Sequence, residues 1–427
     1  MMGFLAVILT GALLLMLPFS TASRTVTPFI DCLFTAISST CVTGLVVYDT
    51  ATHWSLFGQA VILVMIQIGG MGVITMAILI SLIAGKKISL KERSTMQESV
   101  SAPSVGGVVR FSRLIIITAL IIEALGAVIL STVFCRDFGL KGIWMSIFHS
   151  VSAFCNAGFD LLGSRGKFSS LTTYSDNIVV NITIMMLIII GGIGFMTWDD
   201  VRKHKWHISR YKMQSKIILI LSAILILIPA LYFFFFEFLE FDMKKRILAS
   251  LFQSVTTRTA GFNTVDASAL SESGNAITTM LMLIGGAPGS TAGGMKVTTL
   301  AVLLATAASV FKKRDNAHIL KRSIANDVIK SAVTVLLLYI ISFLMGAIII
   351  SRVEALPLTH CLYETASAIG TVGLTVGITS GLGAVSKIIL MLLMYAGRVG
   401  GLTIMFATVS GISKNFVKYP IDKISVG

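Results

Sequence analysis

The sequence predicts an all-α polytopic membrane protein. Its expected plan is four repeats around a central pore, each a spanning helix (M1), a short pore helix and a second spanning helix (M2). That makes eight spanning helices plus four half-helices. Three observations carry this. The 427 residues are 55% hydrophobic and only 13% charged, about half the charge of a soluble domain. Apolar runs of roughly 20 residues, the length that crosses a bilayer, recur along the chain. One motif is also written four times: Thr40-Cys41-Val42-Thr43-Gly44-Leu45, Phe154-Cys155-Asn156-Ala157-Gly158-Phe159, Thr257-Arg258-Thr259-Ala260-Gly261-Phe262 and Ile369-Gly370-Thr371-Val372-Gly373-Leu374. Its glycines lie 114, 103 and 112 residues apart, and a fixed interval of that kind means copies of one unit.

The net charge of +14 does not point to nucleic acid. The stretches 86–113, 199–216 and 311–330 hold six Lys/Arg each and 414–423 holds three, together 21 of the 34. Basic residues gathered in alternate loops follow the positive-inside pattern and place those loops in the cytoplasm. Cys32, Cys41, Cys135, Cys155 and Cys361 are odd in number and form no CxxC pair, so neither a disulfide framework nor a metal site is expected.

Taken in order, residues 3–19 are apolar but lack a basic leader. We read them as a retained helix rather than a cleaved signal. Because the chain begins almost inside this helix, a natural extension ahead of it is an open expectation. Residues 28–41 are too short to span and fit a re-entrant half-helix, and 54–84 is the second span. The order recurs as 111–134, 143–155 and 176–198, then 215–236, 246–258 and an interrupted 275–311, then 327–351, 357–370 and 384–412. The repeats are therefore 1–85 (D1), 86–198 (D2, with its preceding loop), 199–311 (D3, with the intramembrane loop 285–296) and 312–427 (D4, with the tail). An even number of spans puts both termini on the basic, cytoplasmic side, and the four glycine motifs then face outward. Each M2 also carries glycines at a similar distance past its motif: Gly69-Gly70, Gly191-Gly192, Gly285-Gly286, and Gly397 with Gly400-Gly401. Close helix packing explains glycines there, though not their matched offsets.

Irregular backbone at membrane depth is tolerated only where it is buried in protein or lines a water-filled path. Four short segments on one axis satisfy that, and glycine lets their carbonyls turn inward without a Cβ in the way. A ring of carbonyl oxygens replaces a cation's hydration shell. The side chains at the ring are small or neutral, with Thr43, Ala157, Ala260 and Val372 ahead of the four glycines. Selectivity would come from backbone rather than charge.

On these motifs the chain resembles the Trk/Ktr/HKT superfamily of potassium transporters, and within it the KtrB branch, over nearly its whole length. The resemblance implies a potassium-binding filter at Val42, Thr43 and Gly44; Asn156, Ala157 and Gly158; Thr259, Ala260 and Gly261; and Thr371, Val372 and Gly373. In the family a glycine at the first filter separates potassium-selective members from sodium-carrying ones with serine, and Gly44 puts this chain on the potassium side. The resemblance further implies a homodimer with one pore per subunit and a separate cytosolic ring that binds nucleotide. Sodium stimulates some members, which nothing in this sequence shows. The basic stretches 86–93, 199–216 and 311–322 and the tail 414–427 are the surfaces open to such a ring; their plainer role is topology and contact with lipid head groups.

Gly285-Gly286-Ala287-Pro288-Gly289-Ser290-Thr291-Ala292-Gly293-Gly294 sits inside an apolar span and cannot be regular helix. It is no phosphate loop, since Gly294 is followed by Met295-Lys296 rather than Lys-Ser/Thr. A flexible plug under the filter fits, and it resembles the family's gating loop. Arg398 lies mid-membrane, where a charge is costly and is normally functional or paired. The resemblance gives it a share in the pore barrier, and Lys296, at the end of the loop, is a candidate for similar work. Asp49, Asp160 and Asp266 follow three of the motifs. They either ring the outer mouth and raise local cation concentration or are ordinary solvated loop residues. Arg258 is expected to brace the third segment, Glu364 the fourth, and Glu123 to make an interhelical contact.

Two other classes share some of these features. A sodium-coupled transporter of another small solute also uses broken helices, but its repeats are often inverted, whereas each unit here starts on the same side. An enzyme needs a nucleophile or metal constellation. His53, His149, His204, His207, His318 and His360 lie mostly in or near loops without such partners. Neither an organic cofactor nor nucleic acid is expected.

Overall fold

The computed structural model describes residues 2–72, 76, 107–314 and 316–400. The predicted end of the second span, the loop 86–106, Gly401 and the tail lie outside them. In each repeat a first apolar helix, 14 residues in the first repeat and 20 or more in the others, is followed by a short one buried toward its C-terminal end and then by a second apolar helix, interrupted in the second and third repeats. The first repeat holds α1 (Met2–Leu15), α2 (Phe29–Thr40) and α3 (Leu56–Met71). The second holds α4 (Val108–Phe138), α5 (Lys141–Phe154), α6 (Ile178–Gly192) and α7 (Phe195–His204). The third holds α8 (Met213–Tyr232), α9 (Met243–Thr256), α10 (Glu272–Met282) and α11 (Val297–Phe311). The fourth holds α12 (Asn326–Glu354), α13 (Leu358–Gly370) and α14 (Ala384–Val399). Among the described residues the only strands are His318–Ile319 and Arg322–Ser323, a two-residue hairpin.

Composition sorts these helices into layers. The short ones are rich in small and hydroxyl residues, and burial follows: α2 buries Cys32, Phe34, Ala36, Ser38, Ser39 and Thr40, and α13 buries every residue from Tyr363 to Gly370. The long ones are apolar all round. Only 22% of the most apolar window of α12 and 33% of that of α4 is covered by protein. Leu125 and Val128 of α4 stay 59% and 65% exposed, which suits lipid rather than water. Polar caps start three of the second helices. Ser55, Asn177 and Ser271 accept the amide hydrogens of Gly58, Val180 and Gly274.

Three second helices differ from the continuous spans expected. α3 ends at Gly72 (φ 86°), α6 at Ile193-Gly194 (Gly194 φ 89°) and α14 at Gly400 (φ 90°). After Gly194 the chain turns by 97° into α7. The cause is one glycine three residues beyond the matched glycine of each repeat (69 to 72, 191 to 194, 397 to 400), held in a conformation a side chain resists.

The first and last repeats are not joined in sequence, and an ion pair ties them together. Lys387 Nζ on α14 lies 2.7 Å from Asp31 Oδ1 on α2, with side chains 12% and 8% exposed. The Tyr48 hydroxyl donates to Asp31 Oδ2 at 3.0 Å. Lys387→Met should leave Asp31 buried and uncompensated, at a cost of about 3–5 kcal/mol. The expected result is a lower melting temperature in detergent, partly restored by adding Asp31→Asn. A melting temperature equal to wild type would refute this role for the pair.

Candidate functional site

The four glycine motifs meet in a ring, and every short helix ends at its motif. The C-terminal ends of α2, α5, α9 and α13, where a helix dipole is negative, therefore converge on one place. In each repeat the motif glycine and the residue two before it are both left-handed: Val42 (φ 58°) with Gly44 (95°), Asn156 (59°) with Gly158 (68°), Thr259 (71°) with Gly261 (80°), and Thr371 (51°) with Gly373 (95°). The residue between them is tied back to its own helix. The amides of Thr43, Ala157 and Val372 donate to the carbonyls of Ser38, Ser152 and Ser367 at 2.7–2.8 Å, and that of Ala260 to Thr256 at 3.0 Å. Ser38 and Ser367 also accept from Gly44 and Gly373, while Ser152 and Thr256 donate to the carbonyls of Phe159 and Phe262.

The glycines show how closely the repeats approach. A Cβ on Gly44 would stand 2.5 Å from the Ala157 carbonyl oxygen, and one on Gly158 2.8 Å from that of Ala260. One on Gly261 would stand 2.3 Å from that of Val372, and one on Gly373 2.2 Å from that of Thr43. The order 1→2→3→4→1 closes on itself. No hydrogen bond among the described residues reaches these four carbonyls. The hydroxyls of Thr43 and Thr371 are buried without a partner there as well. Asn156 and Thr259 join the second and third segments side chain to side chain at 3.2 Å.

The matched M2 glycines also find their reason. A Cβ on Gly69, Gly191 or Gly397 would fall 2.0 Å from the carbonyl oxygen of Thr40, Phe154 or Ile369. Each of those residues lies four before its motif glycine. The helices touch there because no side chain intervenes.

Residues 285–294 form a loop between α10 and α11 directly beneath the ring. Thr371 Oγ1 would lie 2.0 Å from a Cβ on Gly293, and the Gly370 carbonyl 2.9 Å from one on Gly294. The loop is held by the second repeat, where Ala287 and Thr291 donate to Gly192 and Gly191 and Gly289 accepts from Phe195. It is held by the fourth through Gly294 donating to Gly397. Arg398 spans the remaining gap. Its guanidinium donates to the carbonyl of Thr291 in the loop and to those of Gly69 and Gly70 in the first repeat. Lys296 Nζ donates to Ala292 and Gly293 at 2.7 and 3.3 Å. Both cations thus meet loop carbonyls.

The other expected residues separate. Asp49 is buried, and both its oxygens are engaged. It caps the turn Thr50–His53 and accepts from Phe168 of the second repeat at 3.0 Å, so it fastens the loops that follow the first and second motifs together. Asp160 and Asp266 each bond their own loop, at Leu162 and Ser268, in the local turn such residues favour; Asp266 is exposed and Asp160 half-buried. Arg258 reaches not the motif backbone but Ser222 on α8, at 3.1 Å. Glu364 braces the loop after the fourth motif through Thr375, Val376 and Thr379. Sequence reasoning missed Lys387–Asp31, the three helix-breaking glycines, and Gln67 beside Glu123. The glycines alone had a signal, the repeated three-residue spacing.

Similarity to known proteins runs the full length. Residues 2–419 match the TrkH family, described as cation transport protein. The chain is 39% identical to the potassium/sodium uptake protein NtpJ of Enterococcus hirae, over 100% of this chain and 96% of that one. It is 38% identical to Ktr system potassium uptake protein B of Bacillus subtilis, over 100% and 95%. Its fold is like that of the potassium transporter TrkH from Vibrio parahaemolyticus, with a TM-score of 0.72 at 17% identity, covering 95% of this chain and 84% of the other.

Proposed function

Because the chain belongs to the TrkH family of cation transport proteins, multi-pass in the membrane, we propose that it takes up potassium through the ring of four glycine motifs, with residues 285–294 and Arg398 as the gate beneath. The closed cycle of glycine-to-carbonyl approaches carries this reading. It brings the carbonyls of Thr43, Ala157, Ala260 and Val372 together with no internal partner among the described residues, which leaves them free to replace the water of a cation. The unpartnered hydroxyls of Thr43 and Thr371 add two more neutral oxygens. Potassium is the expected cargo because two full-length relatives are named for its uptake. Sodium is the competitor to measure, since one of those names includes it.

Arg398 would oppose cations while it holds the loop under the ring, and loop movement would take it off the axis. We place both termini and the basic loops in the cytoplasm and the ring toward the outside, and we assign the repeat boundaries as read from the sequence. A full-length relative named as part of a Ktr system supports partners within such a system; the ones we propose, from the family resemblance of the motifs, are a second copy of this chain and a cytosolic nucleotide-binding ring.

The test is cation uptake into liposomes containing this chain. Potassium uptake well above sodium uptake is expected. Absence of any flux, from wild type and from a chain lacking 286–293 alike, would overturn the reading, because the deletion removes the gate that a missing partner would otherwise leave shut.

A further inference from the structure

Glu123 takes no part in the site as described, yet it is 4% exposed in the middle of the membrane-spanning α4. A carboxyl group there is costly unless it is used. Both of its oxygens lie 3.1 Å from Gln67 Nε2 on α3. Its Oε1 lies 3.9 Å from Cys155 Sγ, and the same sulfur lies 3.6 Å from Gln67 Oε1. The Glu123 carbonyl accepts from Ser150 Oγ on α5 at 2.6 Å. Three elements from two repeats thus meet at one carboxyl group.

What lies next to its two partners gives the group its meaning. Gln67 stands two residues before Gly69, whose carbonyl, with that of Gly70, receives Arg398. Cys155 stands one residue before the left-handed Asn156 and two before Ala157, whose carbonyl approaches Gly44. Gly70 and Cys155 are themselves in contact, since a Cβ on Gly70 would lie 2.6 Å from Cys155 Sγ. We infer that Glu123 is a positioning residue that locks the second filter segment to the part of α3 holding Arg398, so that ion selectivity and closure of the gate depend on one buried triad, Glu123–Gln67–Cys155.

Removing the carboxyl group leaves the Gln67 amide without its acceptor in a low-dielectric site, where hydrogen bonds of such networks count for more than in water. α3 and the Cys155 backbone then lose their common anchor, and both the Ala157 carbonyl and the Arg398 acceptors gain freedom. A group that served only to hold helices together would lower stability and leave selectivity alone.

This inference rests on the filter reading above, so the experiment carries a control for that reading. Potassium and sodium uptake into liposomes would be measured for wild type, Glu123→Ala, Glu123→Gln, Gln67→Leu and Gly44→Ser, each checked for folding by gel filtration and melting temperature. Glu123→Ala and Gln67→Leu are expected to lower the potassium-to-sodium ratio about fivefold, the worth of one such hydrogen bond, and to raise basal flux together with it. The double variant should be no worse than either single one, because the two side chains act as a unit. Glu123→Gln, which keeps an acceptor for Gln67, is expected to restore most of the ratio. Should Glu123→Ala fail to fold, Gln67→Leu gives the same readout. A wild-type ratio in folded Gln67→Leu or Glu123→Ala, with the ratio of Gly44→Ser degraded, overturns this inference alone. An undisturbed ratio in Gly44→Ser overturns the filter reading and this inference with it.

Discussion

Gly44→Ser is expected to cut the potassium-to-sodium uptake ratio about tenfold or more while the protein still folds. Two costs meet at this position. Gly44 has φ 95°, which a residue with a Cβ adopts only at about 1–2 kcal/mol. The Cβ would also stand 2.5 Å from the Ala157 carbonyl oxygen, so the neighbouring segment must move. The ring is closed, each glycine leaning on the carbonyl of the next repeat, and a shift at Ala157 is passed on to Gly158 and Ala260. A few tenths of an ångström is enough to alter how carbonyls replace a hydration shell, and about 1.4 kcal/mol is a factor of ten. Gly139→Ser is the matched control. Gly139 also has a positive φ, 59°, but no atom lies within 4 Å of its would-be Cβ, so strain alone is tested there. Equal ratios in wild type and Gly44→Ser would remove the filter assignment.

Deletion of residues 286–293 should raise basal flux, and Arg398→Ala should do so less completely. The deletion is geometrically mild. Gly285 donates to the Met295 carbonyl at 2.7 Å, and its Cα lies 3.3 Å from a Cβ built on Gly294, so the cut ends already meet and α10 and α11 need not be drawn together. It removes the backbone that sits under Thr371 and the Thr291 carbonyl that anchors Arg398. The arginine effect can be bounded. A unit positive charge about 6 Å from a permeating cation costs that ion about 3 kcal/mol at an effective dielectric constant of about 20. Loss of the charge should therefore raise basal flux by no more than about a hundredfold. A deletion variant that folds but conducts less than wild type would mean that the loop supports the pore instead of closing it.

The fold was legible because its signals are local and repeated. Apolar length marks the spans. The short, hydroxyl-rich stretches 28–41 and 357–370 mark helices that must be buried among others, and they emerge as Phe29–Thr40 and Leu358–Gly370. The interrupted span 275–311 is broken at Leu283–Lys296, as its glycines and proline require. The breaks at Gly72, Gly194 and Gly400 were not anticipated, because apolar sequence runs on past Gly72 and Gly400 and Phe195, Met196 and Trp198 follow Gly194. A helix turn depends on one residue's φ, which an apolar average does not register. Asp49 illustrates the opposite limit. Its spacing from Gly44 matches that of Asp266 from Gly261, yet one is buried against Phe168 and the other exposed, since the partner of Asp49 comes from 119 residues away.

By itself, the sequence determined the class of molecule, the number of repeats, the four glycine motifs, and the presence of a non-helical segment and an arginine at membrane depth. Each of these follows from the length of an apolar run, the conformational freedom of glycine or the cost of a charge in lipid, which are properties of short stretches of chain. Only the tertiary structure decided who meets whom. It set Gly373 against Thr43 so that the cycle closes, Arg398 against carbonyls of the loop and of the first repeat, Lys387 against Asp31, and Glu123 between Gln67 and Cys155. These contacts join residues tens to hundreds of positions apart, and such pairings are settled by the packing of all four repeats at once, which no single stretch of sequence encodes.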